Sequence, residues 1–228
     1  MSYIIFFIFS IIFSLLINGL FLKFARTLGA KNDSNHNEVR WSSITKPAFG
    51  GISFYIIFLM SFATYAIIFA HQGEIETSFF GVLIAASIGF LVGLADDAYN
   101  TKPILKFIGQ FSCALVLILS GNYITLFDNE LFNYAISFFW VVGMMNSINM
   151  LDNMDGITTS VSIGVLSTAL FVLILTGQLN ALYFWVILGT IGALVGFLYY
   201  NWNPSKMYMG DTGSQFLGVV LAAVGIQF

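Results

Sequence analysis

Five aspartates stand in three short clusters of a chain that is otherwise almost wholly apolar: Asp96-Asp97, Asp152 with Asp155, and Asp211. Each cluster falls at the end of an apolar run. An Asp at the centre of a bilayer costs about 2.5–3.5 kcal/mol even on the lenient scale. Carboxylates gathered at one membrane face therefore suggest a site, and they are natural ligands for Mg²⁺ and for phosphate bridged by it. In Asp96-Asp97 the adjacent charges repel, so the pair recruits a cation or has one pKa raised, and either state suits metal or acid–base chemistry. The competing reading is a solvated loop that caps the next helix. Lys106 follows just inside the next run, placed either to meet a phosphate or to snorkel to the interface.

The second cluster is Asn146-Ser-Ile-Asn149-Met-Leu-Asp152-Asn-Met-Asp155-Gly156, with a polar residue at every third position. On an ideal helix Asn149 and Asp152 nearly share a face, whereas Asn146 and Asp155 do not. All four converge only if the helix tightens or ends near Asn153–Gly156, which Gly156 favours. The run reads as a cleft lined by carboxylates and amides, or as hydrogen bonding between helices. The third cluster, Tyr208-Met-Gly210-Asp211-Thr212-Gly213-Ser214, surrounds one Asp with small residues at a helix start. That arrangement permits close backbone approach to a ligand and attracts anions. Asp-Thr-Gly-Ser also matches the aspartic-protease signature, but those enzymes need two such loops in a β-rich fold. Gly192 and Gly196 read as a helix-packing pair. His36 and His71 stand isolated.

Elements that could hold these clusters follow from the composition. The 228 residues are 58% hydrophobic and 8% charged, with mean hydropathy +0.89. That excludes an ordinary soluble domain, and no basic patch argues for nucleic acid. The single Cys113 excludes an intrachain disulfide and reads as a small buried residue. Apolar runs at roughly 3–22, 49–70, 79–95, 104–120, 131–150, 157–176, 182–200 and 213–228 predict an all-α bundle of about eight transmembrane helices in a single domain. The first run, Tyr3 to Leu22, lacks a basic n-region and reads as a retained span rather than a signal peptide. Loops 23–48, 96–103, 151–156 and 201–212 then share one side. All eight basic residues lie there or at its span ends: Lys23, Arg26, Lys31, Arg40, Lys46, Lys102, Lys106 and Lys206. The opposite loops carry Glu74, Glu76, Asp128 and Glu130. The positive-inside rule makes the first side cytoplasmic and places the N-terminus outside. Asn32–Asn37 reads as a surface segment.

Taken together, the clusters resemble the polyprenyl-phosphate N-acetylhexosamine-1-phosphate transferases, the family of phospho-N-acetylmuramoyl-pentapeptide transferase and of the bacterial initiators of teichoic acid and O-antigen synthesis. The match runs in order along nearly the whole chain: Pro47 with Gly50-Gly51; Asp96-Asp97 followed by Pro103, Lys106 and Gln110; Asn146, Asn149, Asp152 and Asp155-Gly156; and Asn201, Pro204, Tyr208 and Gly210-Asp211-Thr-Gly-Ser. The resemblance implies a multi-pass enzyme of the bacterial cell membrane with its site toward the cytoplasm. There a polyprenyl phosphate, undecaprenyl phosphate in bacteria, attacks the β-phosphate of a UDP-N-acetylhexosamine, releasing UMP with Mg²⁺ required. It implies Asp211 as metal ligand together with Asn149. Asp96 would be the base for the lipid phosphate, with Asp97 beside it. Asp152, Asp155 and Asn201 would line the nucleotide-sugar pocket, Tyr208 would stack on uracil, and Lys106 would offset phosphate charge. N-acetylglucosamine is the default sugar.

Three departures stand out. Asn100 replaces a Lys usual in the muramoyl-pentapeptide branch, which argues against that donor. Asn153 replaces a Gly common in the family. The His-rich cytoplasmic loop that the family carries beyond span eight is absent from these residues, so the sequence is expected to be a C-terminally truncated piece that is inactive alone. Other readings stay open: an intramembrane prenyltransferase releasing diphosphate, a secondary transporter with a carboxylate-lined ion site, and an inactive fragment. Oligomeric state is also open, a homodimer included.

Overall fold

A computed structural model describes residues 2–27, 46–69, 77–179 and 181–228. The expectations for Lys31, Arg40, Asn32–Asn37, His36, His71, Glu74 and Glu76 lie outside the described residues, as does the Arg26 side chain. Among the described residues eight helices follow one another: α1 (Ser2–Thr27), α2 (Gly50–Phe69), α3 (Thr77–Tyr99), α4 (Pro103–Leu119), α5 (Glu130–Leu151), α6 (Ile157–Leu175), α7 (Leu182–Asn201) and α8 (Gly210–Gln227). They match the eight apolar runs to within a few residues. Six are long and apolar enough to cross a membrane; α4 is a shorter apolar helix, and α8 carries Asp211 and Gln215 among its apolar residues. The chain is a multi-pass helical membrane protein.

The helices alternate in direction. At one end Asn122, after α4, donates to the Ser78 carbonyl at the start of α3 and accepts from the Tyr183 hydroxyl at the start of α7. At the other end the C-termini of α3, α5 and α7 meet the N-termini of α4, α6 and α8. Local signals set these boundaries. Asn129 caps α5 by accepting from Leu131 N–H. Pro103 opens α4. Gly156, at φ 74°, turns the chain between α5 and α6 in a conformation that a side chain would strain.

Lipid tails are as apolar as Leu, so helices in a bilayer associate through close packing rather than through hydrophobic exclusion. The sequence supplies the small residues that this needs. On α1, Phe6, Ser10, Ser14 and Asn18 recur at helical spacing and are buried, while Ile5, Ile12, Leu16 and Leu20 face outward. The buried face of α1 lies on Gly192 and Gly196 of α7, where a Cβ would meet Ser10 and Ser14. Those two glycines pack helices, as their spacing predicts. The centre is filled by α7, α8 and an aromatic cluster. Tyr55 stacks on Phe90 with centroids 4.1 Å apart, and Phe58 meets Phe216 edge-on at 5.2 Å. Cys113 is buried and free, its thiol against the Ala85 carbonyl.

Candidate active site

The α3–α4 turn positions the first two charged groups. After Tyr99 the chain turns through Asn100, at φ 48°, whose N–H donates to the Asp96 carbonyl at 2.8 Å. The Asp96 carboxylate fastens the turn by accepting from Thr101 N–H at 3.0 Å and the Thr101 hydroxyl at 2.5 Å. Lys106, in the first turn of α4, brings its ammonium 3.0 Å from Asp96 Oδ2, 3.2 Å from Asn149 Oδ1 and 3.4 Å from Asp211 Oδ1. One cation thus sits among oxygens from α3, α5 and α8. Asp96 thus ties down the turn before α4 and holds Lys106, but it does not cap α4, whose N-cap position is Lys102. Lys106 turns inward to the carboxylates and does not snorkel.

Asp97 does something else. Its carboxylate accepts from Asp211 N–H and Thr212 N–H at 2.9 Å each and from the Thr212 hydroxyl at 2.5 Å. Those are free donors of the first turn of α8, so Asp97 caps α8 from a neighbouring helix. The pairing with α8 is tight because small residues let backbones touch: a Cβ on Gly93 would stand 2.6 Å from the Asp211 carbonyl carbon and Thr212 Cα. Gly213 likewise lies against Gly51 of α2. The small residues around Asp211 therefore admit neighbouring helices. Thr212, Gly213 and Ser214 are buried.

The polar run of α5 does not converge on one point. The helix ends at Leu151 and the chain turns through residues 152–156. Asn149 reaches the charged cluster, donating to Asp211 and, at 2.9 Å, to Ser214. Asn146 points instead to Gln110, one turn deeper. Asp155 is drawn away to the loop before α8, where Ser205 N–H and hydroxyl donate to it at 2.9 and 2.7 Å and Lys46 stands 3.7 Å off. Burial works against the charge of Asp155, but Ser205 and Lys46 together hold its carboxyl below the usual carboxylate range. Asp152 remains near the mouth of the cluster. Burial first, then the charges of Asp211 and Asp97, push its carboxyl up to about 7, against the Thr158 hydroxyl, which favours ionisation. Asn153 donates its amide to the Met150 carbonyl at the end of α5, a use that a glycine lacks.

Asn201, expected in the nucleotide-sugar pocket, is buried at 2% exposed. Its oxygen accepts from Gly156 N–H at 3.2 Å and the Thr159 hydroxyl at 2.8 Å, and its nitrogen donates to the Met207 carbonyl at 3.1 Å. It braces the α5–α6 turn against the loop before α8. Tyr208 is partly exposed on that loop, with the Lys46 ammonium 5.0 Å from its ring centroid. Tyr208 N–H donates to the Pro47 carbonyl, and Gly50 and Gly51 N–H donate to the Tyr208 and Met209 carbonyls. The Pro47–Gly51 segment and the loop before α8, distant in sequence, form one piece of structure.

Lys46, Thr101, Ser205 and Ser214 contribute to this end of the bundle without having been singled out as site residues. Ser214 carried a signal, being one turn beyond Asp211. Lys46 and Ser205 carried none, since their partners come from other elements. The arrangement gathers carboxylate and amide oxygens around a lysine at the ends of three helices. It can hold a cation and meet a phosphate.

A family model described as glycosyl transferase family 4 matches residues 79–228. The chain is 29% identical over 229 residues to a probable undecaprenyl-phosphate N-acetylglucosaminyl 1-phosphate transferase of Bacillus subtilis (strain 168), covering 96% of this chain and 61% of that protein. It is 28% identical over 227 residues to a phospho-N-acetylmuramoyl-pentapeptide-transferase of Listeria monocytogenes serotype 4b (strain CLIP80459), covering 90% and 67%. A transferase of the same name from Limosilactobacillus fermentum (strain NBRC 3956 / LMG 18251) is 31% identical over 196 residues, covering 79% and 59%. The chain spans about three-fifths to two-thirds of the length of these relatives. It belongs to glycosyl transferase family 4.

Proposed function

We propose that this member of glycosyl transferase family 4 carries the core of a site that moves a sugar-1-phosphate from a UDP-N-acetylhexosamine, N-acetylglucosamine by default, to undecaprenyl phosphate at the cytoplasmic face of a bacterial cell membrane. The observation that carries this reading is the convergence of Asp96, Asn149 and Asp211 oxygens on the Lys106 ammonium. The described lysines at this end of the bundle, Lys23, Lys46, Lys102, Lys106 and Lys206, support its cytoplasmic orientation. Phospho-N-acetylmuramoyl-pentapeptide as the moved group is disfavoured by Asn100.

The donor set suits Mg²⁺. Among the described residues no three His, Cys, Asp or Glu side chains gather into a cage. Mg²⁺ commonly takes one or two carboxylates and completes its shell with substrate phosphates and water. Asp211 and Asn149 would hold it, because their oxygens already face a shared cation. When bound it supplies charge neutralisation to the phosphates that meet there.

The chain's own residues do the rest. An oxygen of the lipid phosphate attacks the β-phosphorus of the donor. A new P–O bond forms, the bond from that phosphorus to the bridging oxygen breaks, and UMP leaves with the electron pair. A phosphate monoester has a second pKa near 6 and is mostly dianionic at neutral pH, so the nucleophile needs little help from a base. Asp96 already accepts two bonds from Thr101 and one from Lys106, which leaves it a weak base. We assign it to holding Lys106 rather than to the base role that the family resemblance implies. Lys106 offsets the charge that develops between two anionic reactants. Asp97 fixes the α8 N-terminus and with it Asp211. Tyr208, half exposed beside Lys46, offers a face for the uracil ring, and Asp152 stands where the sugar or its phosphate would approach.

The test uses membranes carrying the protein expressed from its complete gene, supplied with UDP-N-acetylglucosamine, undecaprenyl phosphate and Mg²⁺. UMP release with labelled sugar passing into the lipid fraction, both abolished by Asp211→Ala, is expected. Diphosphate release from a prenyl donor without UMP would overturn the reading in favour of a prenyltransferase. Ion-coupled uptake that survives Asp211→Ala would do so in favour of a transporter.

A further inference from the structure

One helical turn beneath the charged cluster lies a second layer, made of amides. Lys106, Asn149 and Asp211 reach the cluster from α4, α5 and α8. Each has an amide one turn deeper on its own helix: Gln110 at i+4 from Lys106, Gln215 at i+4 from Asp211, and Asn146 at i−3 from Asn149, since α5 runs the other way. Gln110 bonds to both of the others. Gln110 Nε2 donates to Asn146 Oδ1 at 3.2 Å and to Gln215 Oε1 at 3.1 Å, and Asn146 Nδ2 donates back to Gln110 Oε1 at 2.9 Å.

Asn146 is exposed and donates also to the Val142 carbonyl at 2.9 Å, but the Gln110–Gln215 pair is buried, a poor way to gain stability. Gln110 is 2% and Gln215 0% exposed, and Gln215 Nε2 has no hydrogen-bond partner among the described residues. A buried donor without a partner is destabilising, and a Met in its place would fill the space without that cost. Apolar contacts between helices, however, tolerate sliding and rotation, whereas a two-way amide pair has a direction and a register. We propose that Gln110, Asn146 and Gln215 form a positioning layer. They fix the depth and rotation of α4, α5 and α8, and so aim the Lys106 ammonium and the Asn149 amide at the Asp211 carboxylate. Their service to sugar-phosphate transfer rests on the function proposed above; the aim they impose on Lys106 does not.

A double-mutant cycle separates aim from mere stability. Lys106→Met and Asp211→Asn, singly and together, are measured by equilibrium unfolding in lipid nanodiscs. The cycle is run in the native background, with Gln110→Met and with Asn146→Ala. In the native background the Lys106–Asp211 coupling is expected to be about fivefold in the unfolding equilibrium constant. In both amide backgrounds it should fall to within about twofold of none, with helical circular dichroism retained. A coupling that keeps its native value while stability drops would reduce the amides to ordinary bundle contacts and overturn the proposal. If Gln110→Met does not fold, Asn146→Ala decides by the same criterion, because it leaves the Gln110–Gln215 bond in place. UMP release measured in parallel keeps the two readings apart. Lost coupling with no transfer in any form sinks the transferase reading alone, and persistent coupling sinks the positioning layer whatever the activity.

Discussion

Replacing Asp97 by asparagine is expected to loosen the site from below, because its carboxylate holds the first turn of α8. In the native chain three donors converge on it: Asp211 N–H and Thr212 N–H at 2.9 Å and the Thr212 hydroxyl at 2.5 Å. An amide of the same shape offers a single oxygen, so at least one donor loses its acceptor and the others lose charge assistance. Hydrogen bonds to a charged group contribute about 1.5–3 kcal/mol net, against about 0.5–1.5 for neutral ones. An anion at a helix N-terminus adds about 0.3–1 kcal/mol. Water reaches Asp97 and replaces part of what is lost, so the low end of each range applies. The sum is roughly 2 kcal/mol for Asp97→Asn and about 3 kcal/mol for Asp97→Ala. At about 2–4 °C per kcal/mol for a chain of this size, Tm should fall by roughly 4–8 °C and 6–12 °C. The assay is thermal unfolding in nanodiscs without added metal, with UMP release followed on the same samples. A residue that served chemistry alone would instead be relieved of repulsion from Asp96 and Asp211 on neutralisation. A Tm that stays level or rises in Asp97→Asn would therefore refute the capping role.

Gly93→Ala should push α8 away from α3, since its Cβ would stand 2.6 Å from the Asp211 carbonyl carbon. Overpacking of this kind costs about 1–3 kcal/mol, and transfer should fall more than tenfold because Asp211 moves; Tm and UMP release together check it. Asp152 holds its proton up to about pH 7 in the folded chain but only to about 3.8 when unfolded. The folded state therefore binds more protons between those values, and stability falls as pH rises through that window, by roughly 4 kcal/mol at most. Asp152→Asn should leave Tm unchanged at pH 4 and raise it by several degrees at pH 8, and a Tm difference independent of pH would contradict this. Asn201→Ala would leave Gly156 N–H, the Thr159 hydroxyl and the Met207 carbonyl without partners, and should cost about 2–4 kcal/mol. Calorimetric titration with UDP should show unchanged affinity in whatever fraction stays folded; a selective loss of UDP affinity at native Tm would return Asn201 to the pocket.

The spans were legible because each residue type reports directly on its solvent. A run of about twenty apolar residues has one low-energy arrangement in a bilayer, a helix whose backbone satisfies itself. Asn129, Pro103 and Gly156 mark their own boundaries through local chemistry. The candidate site was legible as a set of polar residues at span ends. Asp96, Lys106, Asn149 and Asp211 do meet, and they were singled out because polarity in such a place is costly.

What the spacing did not disclose is how those residues divide their work. Asp96 and Asp97 are neighbours of one type, yet one holds a lysine and the other caps a helix more than a hundred residues away. Asn146, Asn149, Asp152 and Asp155 share one periodicity, yet they reach Gln110, the charged cluster, its mouth and Ser205. Asn201, which the resemblance puts in a pocket, is a buried brace between the α5–α6 turn and the loop before α8. Each outcome depends on which helix lies alongside, and that is settled by small residues such as Gly93, Gly51 and Gly213, whose role exists only once two backbones approach. By itself the sequence determined which residues must leave the lipid and at which end of the bundle they gather. Only the tertiary packing decided which carboxylate faces a cation and which faces a backbone, because a hydrogen bond depends on a partner's position and direction, and those come from other helices.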